Sequence, residues 1–155
     1  MPESRIFVTA DLHFDCPDTV ERWNSQVRRG DTVYVLGNVT VPPGTGFDII
    51  GKLQGAKRLI IACRDRTGPR YAAYFSSIFG SYEICDVLLT AVPMPLDYLA
   101  RYRGNIHGQC KTENPRYQCV SLELCDHKPV RLSNVLKRMP KRGQNVSASS
   151  CVRPA

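Results

Sequence analysis

The sequence predicts an α/β fold, and two observations carry this prediction. Strand-like runs alternate with segments of helical periodicity through the first half of the 155-residue chain, which favours parallel strands in a buried sheet. The second half instead contains short β-rich runs, two of them spaced as in a hairpin. Hydrophobic residues make up 43% of the chain and charged residues 23%, which is typical of a globular domain.

Three strands and three helices are predicted in the first half. The strands are rich in β-branched and aromatic residues and are expected over residues 5–10, 31–36 and 58–62. The helices are expected over residues 18–29, 47–53 and 71–78. The first helix begins at a capping box formed by Asp18 and Glu21 and ends before Gly30.

The second half is predicted to hold three short strands and two short helices. The strands are expected over residues 81–85, 87–90 and 117–124, and the helices over residues 96–101 and 132–139. Residues 1–140 are therefore expected to form one domain. Residues 141–155 are polar, basic and aperiodic, so we expect a disordered tail there.

The charge balance indicates an anionic partner. Lys and Arg number 21 against 14 Asp and Glu, a formal net charge of +7, and this favours an acidic protein or a nucleic acid as partner. Part of the excess lies in Lys137, Arg138, Lys141 and Arg142. The alternative is that these four residues form only a solvated helix end and tail.

Three features favour a cytoplasmic protein. The first residues lead into a strand with no apolar segment of the kind that secretory signals contain. No apolar stretch approaches the length of about 20 residues that a membrane-spanning helix needs, so no membrane partner is expected. The seven cysteines are scattered without a C-x-x-C pair, which is typical of reduced thiols that serve as small apolar side chains.

Asp11 and His13 form the first candidate site. They lie two positions apart where the first predicted strand ends, so a carboxylate and an imidazole can point to the same side and share one cation. An aspartate after a strand is also a common turn former or helix cap, and that alternative stays open for Asp11.

Four segments carry short polar signatures, and the first three of them follow a predicted strand. In chain order they are Asp11-Leu12-His13, Gly37-Asn38-Val39, Ala62-Cys63-Arg64-Asp65 and His107-Gly108-Gln109-Cys110-Lys111. Their order and spacing resemble the calcineurin-like metallophosphoesterases, and within them the small bacterial and phage phosphoesterases. The resemblance implies an αββα sandwich of mixed sheets flanked by helices, with a two-metal site built from loops at the sheet edges.

The chain departs from the family pattern at the positions that carry the chemistry. Asp11 and His13 match metal ligands, and Asp65 also matches the pattern. The departures are Asn38 for the bridging aspartate, Cys63 for an asparagine ligand, Arg64 for the catalytic histidine, Ala91 for a lone histidine, and Gln109 and Lys111 for the last two histidines. A neutral amide does not bridge two cations as a carboxylate does, and Arg64 and Lys111 oppose a nearby dication. No cofactor is therefore expected.

These departures predict a catalytically inactive, metallophosphoesterase-like protein that binds or regulates a protein partner. Its phage relatives suggest a phage-encoded inhibitor of a host enzyme, acting in the host cytoplasm. One alternative is a residual phosphoesterase that holds a single Mn²⁺ or Zn²⁺ at Asp11 and His13, and a zinc site that adds Cys63 and Cys110 is a variant of it. Another alternative is a phosphate- or nucleic-acid-binding protein. Its candidate anion-binding residues are Arg64, Lys111, Arg101 and Arg103, and the basic C-terminal helix is a further candidate.

Overall fold

The computed structural model describes residues 4–39, 47–62 and 68–144. The described residues form nine strands: β1 (Ile6–Leu12), β2 (Thr32–Val39), β3 (Ala56–Ile60), β4 (Ser77–Phe79), β5 (Tyr82–Ile84), β6 (Val87–Leu89), β7 (Gly104–His107), β8 (Tyr117–Cys119) and β9 (Val130–Arg131). They also form four α-helices: α1 (Thr19–Gln26), α2 (Asp48–Gly51), α3 (Gly68–Tyr71) and α4 (Leu132–Arg138). Two 3-10 turns span Leu96–Leu99 and Leu122–Leu124. Most of the predicted tail, residues 145–155, lies outside the described residues.

The strands form two mixed sheets, which confirms the predicted α/β class. The first sheet has the order β4-β3-β2-β1-β9, in which β1 to β4 are parallel and β9 is antiparallel to β1. The second sheet has the order β5-β6-β7-β8, in which β5 is antiparallel to β6 and the other pairs are parallel. Within the described chain, no helix has the length and apolar character needed to cross a bilayer.

Alternation along β1 divides the core into two clusters. Phe7 packs in one cluster with Trp23 of α1 and Ile50 of α2, so these helices cover one face of the first sheet. Val8 packs in the other cluster, which fills the space between the two sheets and includes Ile106 of β7. The first sheet is therefore buried on both faces, as expected for parallel strands.

Helix α4 closes the space between the sheets at one edge. Its residues Leu132 and Val135 are buried in the cluster that joins the two sheets, and Met139 follows them into the same cluster. Short β9 leads directly into this helix and pairs with β1. A strand of two residues is too short to show an alternating pattern, which is why the sequence did not predict β9.

The helix predicted over residues 71–78 is wrong. Helix α3 ends at Tyr71, and the amides of Tyr74 and Phe75 both donate to the Tyr71 carbonyl in a turn. The chain then forms β4, which adds a parallel edge to β3. The aromatic spacing has a different cause from helix periodicity: Tyr71 and Tyr74 contact the Phe47 ring, with ring centroids 5.8 and 5.4 Å away.

Two other predicted elements are shorter than expected. Helix α1 ends at Gln26 because Val27 takes an extended conformation, with φ −98° and ψ 132°, and buries its side chain in the core. The strand predicted over residues 117–124 ends at Cys119, and its last three residues form the 3-10 turn Leu122–Leu124. Strand β2 is longer than predicted and runs to Val39, so Asn38 lies within a strand.

Candidate functional site

Asp11 lies at an irregularity near the carboxyl end of β1. The regular pairing of β1 with β2 is interrupted between Ala10 and Leu12, and Asp11 has a φ of 55°. The His13 amide donates to the Asp11 carbonyl at 2.9 Å, which closes a tight turn. Aspartate adopts a positive φ at a lower energetic cost than most residues, so Asp11 is compatible with this turn. The side chain is buried and lies at the base of an open cleft.

Three neutral groups donate hydrogen bonds to the Asp11 carboxylate. The backbone amide of Gln109 donates to Oδ2 at 2.7 Å, and the Ser121 hydroxyl donates to the same oxygen. The Asn38 side-chain amide donates to Oδ1 at 3.4 Å. Among the residues that the structure describes, Asp11 forms no salt bridge, and the described groups that stabilise its charge are two amides and a hydroxyl. The described contacts therefore contain no Asp11–Lys111 ion pair.

Gly108 allows the second sheet to reach Asp11. A Cβ atom at this position would lie 2.8 Å from the Ala10 Cβ and 3.0 Å from Asp11 Oδ2. Any larger residue would push the segment after β7 away from β1. This close approach places the Gln109 amide against the carboxylate.

The cleft has a volume of about 340 Å³ and gathers residues from both sheets. Its lining residues are Asp11, His13, Asn38, Gln109, Lys111, Ser121, Glu123 and Leu124. Five of them are positions that the resemblance places in the site. Ser121, Glu123 and Leu124 were missed because the sequence predicted a strand there, whereas Glu123 and Leu124 lie in a 3-10 turn.

Other residues that the family resemblance or the alternative zinc site names do not line the described cleft. Ala91 lies beside the cleft after β6, where its carbonyl accepts a hydrogen bond from the Gly108 amide at 3.2 Å. Its methyl group offers no ligand atom. Cys63, Arg64 and Asp65 lie outside the described residues. Cys110 is exposed and does not line the cleft, so the described residues do not assemble the zinc set that includes it.

The donor set in this cleft does not fit a two-metal centre. Asp11 uses both carboxylate oxygens for hydrogen bonds, and Asn38 turns its amide nitrogen toward Asp11. In the described ranges, no three His, Cys, Asp or Glu side chains come close enough to share a metal ion. Lys111 adds a positive charge to the lining. Two cations need bridging anionic oxygen, which these residues do not supply.

Arg101 and Arg103 lie away from the cleft, contrary to their predicted role in one anion pocket with Lys111. The Arg103 guanidinium donates to the carbonyls of Leu136, Met139 and Pro140 at the end of α4. Arg101 is exposed and pairs with Glu83, with 3.5 Å between the charged atoms. Neither residue lines the cleft, because both precede β7 whereas the cleft lies beyond its far end.

His107 is fully buried beneath this site. Its Nδ1–H donates to the Gly108 carbonyl at 2.8 Å, and its ring meets Tyr117 edge to face with centroids 5.9 Å apart. Its Nε2 has no hydrogen-bond partner among the described residues. Burial lowers the pKa of His107, and the Gly108 carbonyl and the Asp11 charge oppose that shift only partly. The folded protein therefore keeps this imidazole neutral.

Stability is expected to fall as the pH drops below the ordinary histidine pKa of 6.5. In that range the unfolded chain binds a proton at residue 107 that the folded chain does not bind, at a cost of up to about 1.4 kcal/mol per pH unit. Urea unfolding between about pH 7.5 and pH 5.5 measures this slope. His107→Gln removes the titrating group, so a slope that is equally steep in the variant contradicts the assignment.

Comparison with known proteins supports the architecture alone. No protein-family model matches the chain, and no curated protein matches it either. The crystal structure of a protein of unknown function from Aquifex aeolicus is similar, with a TM-score of 0.66 and 19% sequence identity. The match covers 87% of this chain and 99% of that one. At this identity the likeness shows that the two chains share an α/β fold.

Proposed function

We propose that this chain is a catalytically inactive, metallophosphoesterase-like protein that works by binding a partner. In this proposal the two packed sheets are the family's αββα sandwich, and the cleft at Asp11 is a degenerate form of its two-metal site. The proposed role is regulatory, and inhibition of a host enzyme by a phage-encoded protein in the host cytoplasm is its specific form. The polar signatures at four strand ends support the family assignment.

The hydrogen-bonding of Asp11 is the observation that carries the proposal. A metal ligand must present free lone pairs to the ion, but the described structure directs an N–H and an O–H at Oδ2 and an amide N–H at Oδ1. A cation that binds Asp11 would compete with these donors: coordination by Oδ2 would displace an N–H or an O–H, which is costly in a buried site, and in the described contacts Oδ1 retains one free lone-pair position. These hydrogen bonds support the proposal, because the protein's own donors hold the Asp11 carboxylate.

The residues around Asp11 support the same reading. Asn38 and Gln109 supply neutral amides where the resemblance calls for an aspartate and a histidine. Lys111 supplies a cation where it calls for another histidine, and it raises the cost of placing a dication nearby. Without a metal, nothing described in the cleft ionises water or polarises a phosphoester as the family's reaction requires.

A residual phosphoesterase is the second candidate function. Asp11 and His13 line the same cleft, and a carboxylate and an imidazole are residue types that bind Mn²⁺ or Zn²⁺. Such an ion, when bound, would polarise a phosphoester oxygen. In that case the Lys111 ammonium would stabilise negative charge on the phosphoryl group.

One assay separates the two candidates. The protein is purified without chelator, its metal content is measured, and turnover of a chromogenic phosphodiester is followed in excess Mn²⁺. We expect no stoichiometric metal and no turnover above the protein-free blank. Asp11→Asn is the matched control, because any contaminating phosphodiesterase is unaffected by this change. A Mn²⁺-dependent rate that Asp11→Asn abolishes overturns the inactive assignment.

A further inference from the structure

Two arginines join chain segments at one end of the second sheet by donating to backbone carbonyls. Arg103, directly before β7, donates to three carbonyl oxygens at the end of α4 at 2.5 to 2.9 Å. Arg116 donates to the carbonyls of Leu99 and Tyr102 at 2.7 and 2.8 Å. The last turn of α4, the 99–103 segment and the residue before β8 therefore form one continuous end of the molecule.

This end carries more positive charge than its carboxylates balance. The carbonyls that hold Arg103 and Arg116 are neutral, so both guanidinium charges remain uncompensated. Lys137, Arg138 and Lys141 are exposed and form no salt bridge with any described residue. The carboxylates joined to this end by described contacts are Glu83 and Asp86, which pair with Arg101 and Arg142 at 3.5 and 3.8 Å. We call the seven basic residues of this paragraph the basic end.

The basic end lies at the opposite end of the second sheet from the cleft. Arg103 comes directly before β7, whereas Gln109 of the cleft comes after its last residue. The amide of Arg103 also donates to the carbonyl of Asp86, which comes directly before the parallel strand β6. The positive charge is therefore a feature separate from the Asp11 site.

An exposed aromatic ring adjoins these charges. Tyr98 lies in the 3-10 turn Leu96–Leu99 and exposes 65% of its surface. Arg101 follows Tyr98 three residues later, after the 3-10 turn has ended at Leu99. The Arg101 guanidinium lies 5.6 Å from the centre of the Tyr102 ring. Exposed rings beside arginines and lysines are typical of surfaces that stack bases and contact phosphates.

We propose that the basic end binds single-stranded nucleic acid. The exposed cations of this end that form no salt bridge with a described residue, Lys137, Arg138 and Lys141, contact successive phosphates, and Tyr98 stacks on an unpaired base. A duplex keeps its bases inside, so the flat exposed ring favours a single strand, and an acidic polypeptide would leave that ring without a matching partner. The inference rests on the proposed role as a binding protein, adds single-stranded nucleic acid to the proposed protein partner, and is independent of chemistry in the cleft.

Fluorescence anisotropy with labelled oligothymidine and oligouridine over a range of salt concentrations tests whether the basic residues bind phosphates. Both probes are expected to bind, with an affinity that falls steeply as salt rises; tighter binding of one probe identifies DNA or RNA as the source. The double variant Lys137→Glu/Lys141→Glu reverses two unpaired charges. We expect about tenfold weaker binding and a salt slope shallower by about 1.4 units in log affinity per log salt.

A double variant with the same change in charge serves as the control. Arg29 and Lys52 are exposed on the layer of helices that covers the other face of the first sheet. Arg29→Glu/Lys52→Glu alters the net charge equally, so it is expected to leave the affinity within about twofold of the wild type. An equal loss in both double variants means that only net charge matters and overturns the proposed surface.

Tyr98→Ala tests the stacking contact, and Leu96→Ala is its control because Leu96 is exposed on the same turn. We expect Tyr98→Ala to weaken binding about tenfold and Leu96→Ala to change it little. The proposal is overturned if neither probe binds, if Tyr98→Ala binds as tightly as the wild type, or if polyglutamate binds as tightly as the oligonucleotides. Phosphodiesterase turnover at Asp11 would instead overturn the proposed function and leave this surface unaffected.

Discussion

Replacing Asp31 with alanine is expected to lower the free energy of unfolding by about 3 kcal/mol. The buried carboxylate accepts hydrogen bonds from the backbone amide, Nε and Nη2 of Arg5 at 3.2, 3.1 and 2.6 Å, and from the Arg28 amide at 2.7 Å. Alanine leaves these donors without an acceptor and the Arg5 charge without a partner. Arg5 keeps 24% of its side chain exposed, so water partly solvates the unpaired charge. The expected loss of stability is therefore at the lower end of the range for breaking a buried ion pair. Urea unfolding at neutral pH measures it.

Asp126→Asn is the control for this change, because Asp126 has a φ of 53°, which asparagine tolerates better than alanine. Asp126 also pairs with an arginine, Arg22, at 3.0 Å, but its side chain is 71% exposed. An exposed pair is screened by water, so little change in stability is expected. A comparable loss in both variants would show that burial does not set the strength of the Asp31 pair.

The same pair predicts the behaviour of the protein in acid. Burial raises the pKa of Asp31, but the hydrogen bonds from Arg5 and Arg28 outweigh it and hold that pKa below its usual 3.8. The stabilisation is therefore fully present above pH 3.8 and is lost as the pH falls through the lowered pKa. His107 acts at higher pH, so the two groups weaken the fold in separate pH ranges.

Gly104→Ala is expected to destabilise the protein by about 3 kcal/mol through overpacking. An added Cβ would overlap the carbonyl oxygen of Arg116 and the Cε of Met139. The Met139 side chain is flexible, but the Arg116 carbonyl accepts the Asn105 amide at 2.8 Å and cannot shift without breaking the pairing of β7 with β8. Thermal or urea unfolding shows the loss directly.

Gly80→Ala is the control. It tests whether the lower stability of Gly104→Ala comes from the overlap with the Arg116 carbonyl or from replacing any glycine by alanine. Gly80 has no atom within 4 Å of its added Cβ and does not have a positive φ. Its replacement is expected to be neutral or slightly stabilising, because alanine restricts the unfolded chain. If Gly104→Ala is as mild as Gly80→Ala, the close approach of β7 to the 116–117 backbone is not as tight as described.

Much of the candidate site was predictable because strand ends are visible in a sequence. Asp11, Asn38 and Gln109 lie at or just after the carboxyl ends of β1, β2 and β7, and such ends meet at one edge of parallel sheets. The family resemblance that the order and spacing of the polar signatures carry implied that these residues, with His13 and Lys111, share a site. The structure places all five of them in its lining.

Other parts of the site depended on contacts between distant segments. Ser121 donates to Asp11 only because the segment after β8 crosses to β1, where Ala10 and Ser121 form an isolated bridge. The strand predicted over residues 117–124 hid the 3-10 turn that brings Glu123 into the cleft. Nothing local in the sequence separates these two residues from ordinary strand residues.

The role of Arg103 also could not be predicted from local sequence. The sequence predicts Arg103 as an anion-binding residue, but its guanidinium donates to the carbonyls of Leu136, Met139 and Pro140 at and just after the end of α4. A guanidinium that binds a ligand and one that ties two segments together have the same local sequence signal. Only the position of α4 against the second sheet distinguishes them.

By itself, the sequence determined the α/β class, the strands with strong β-branched runs and the residue types that enter the cleft, because periodicity and side-chain chemistry are local properties. The tertiary structure decided which residues donate hydrogen bonds to the Asp11 carboxylate and where the aromatic segment 71–79 changes from helix to strand. It also decided which cations of the basic end form no described salt bridge. Each of these depends on which segments distant along the chain come within a few ångströms of one another. That proximity is decided by the packing of the two sheets, which no local pattern encodes.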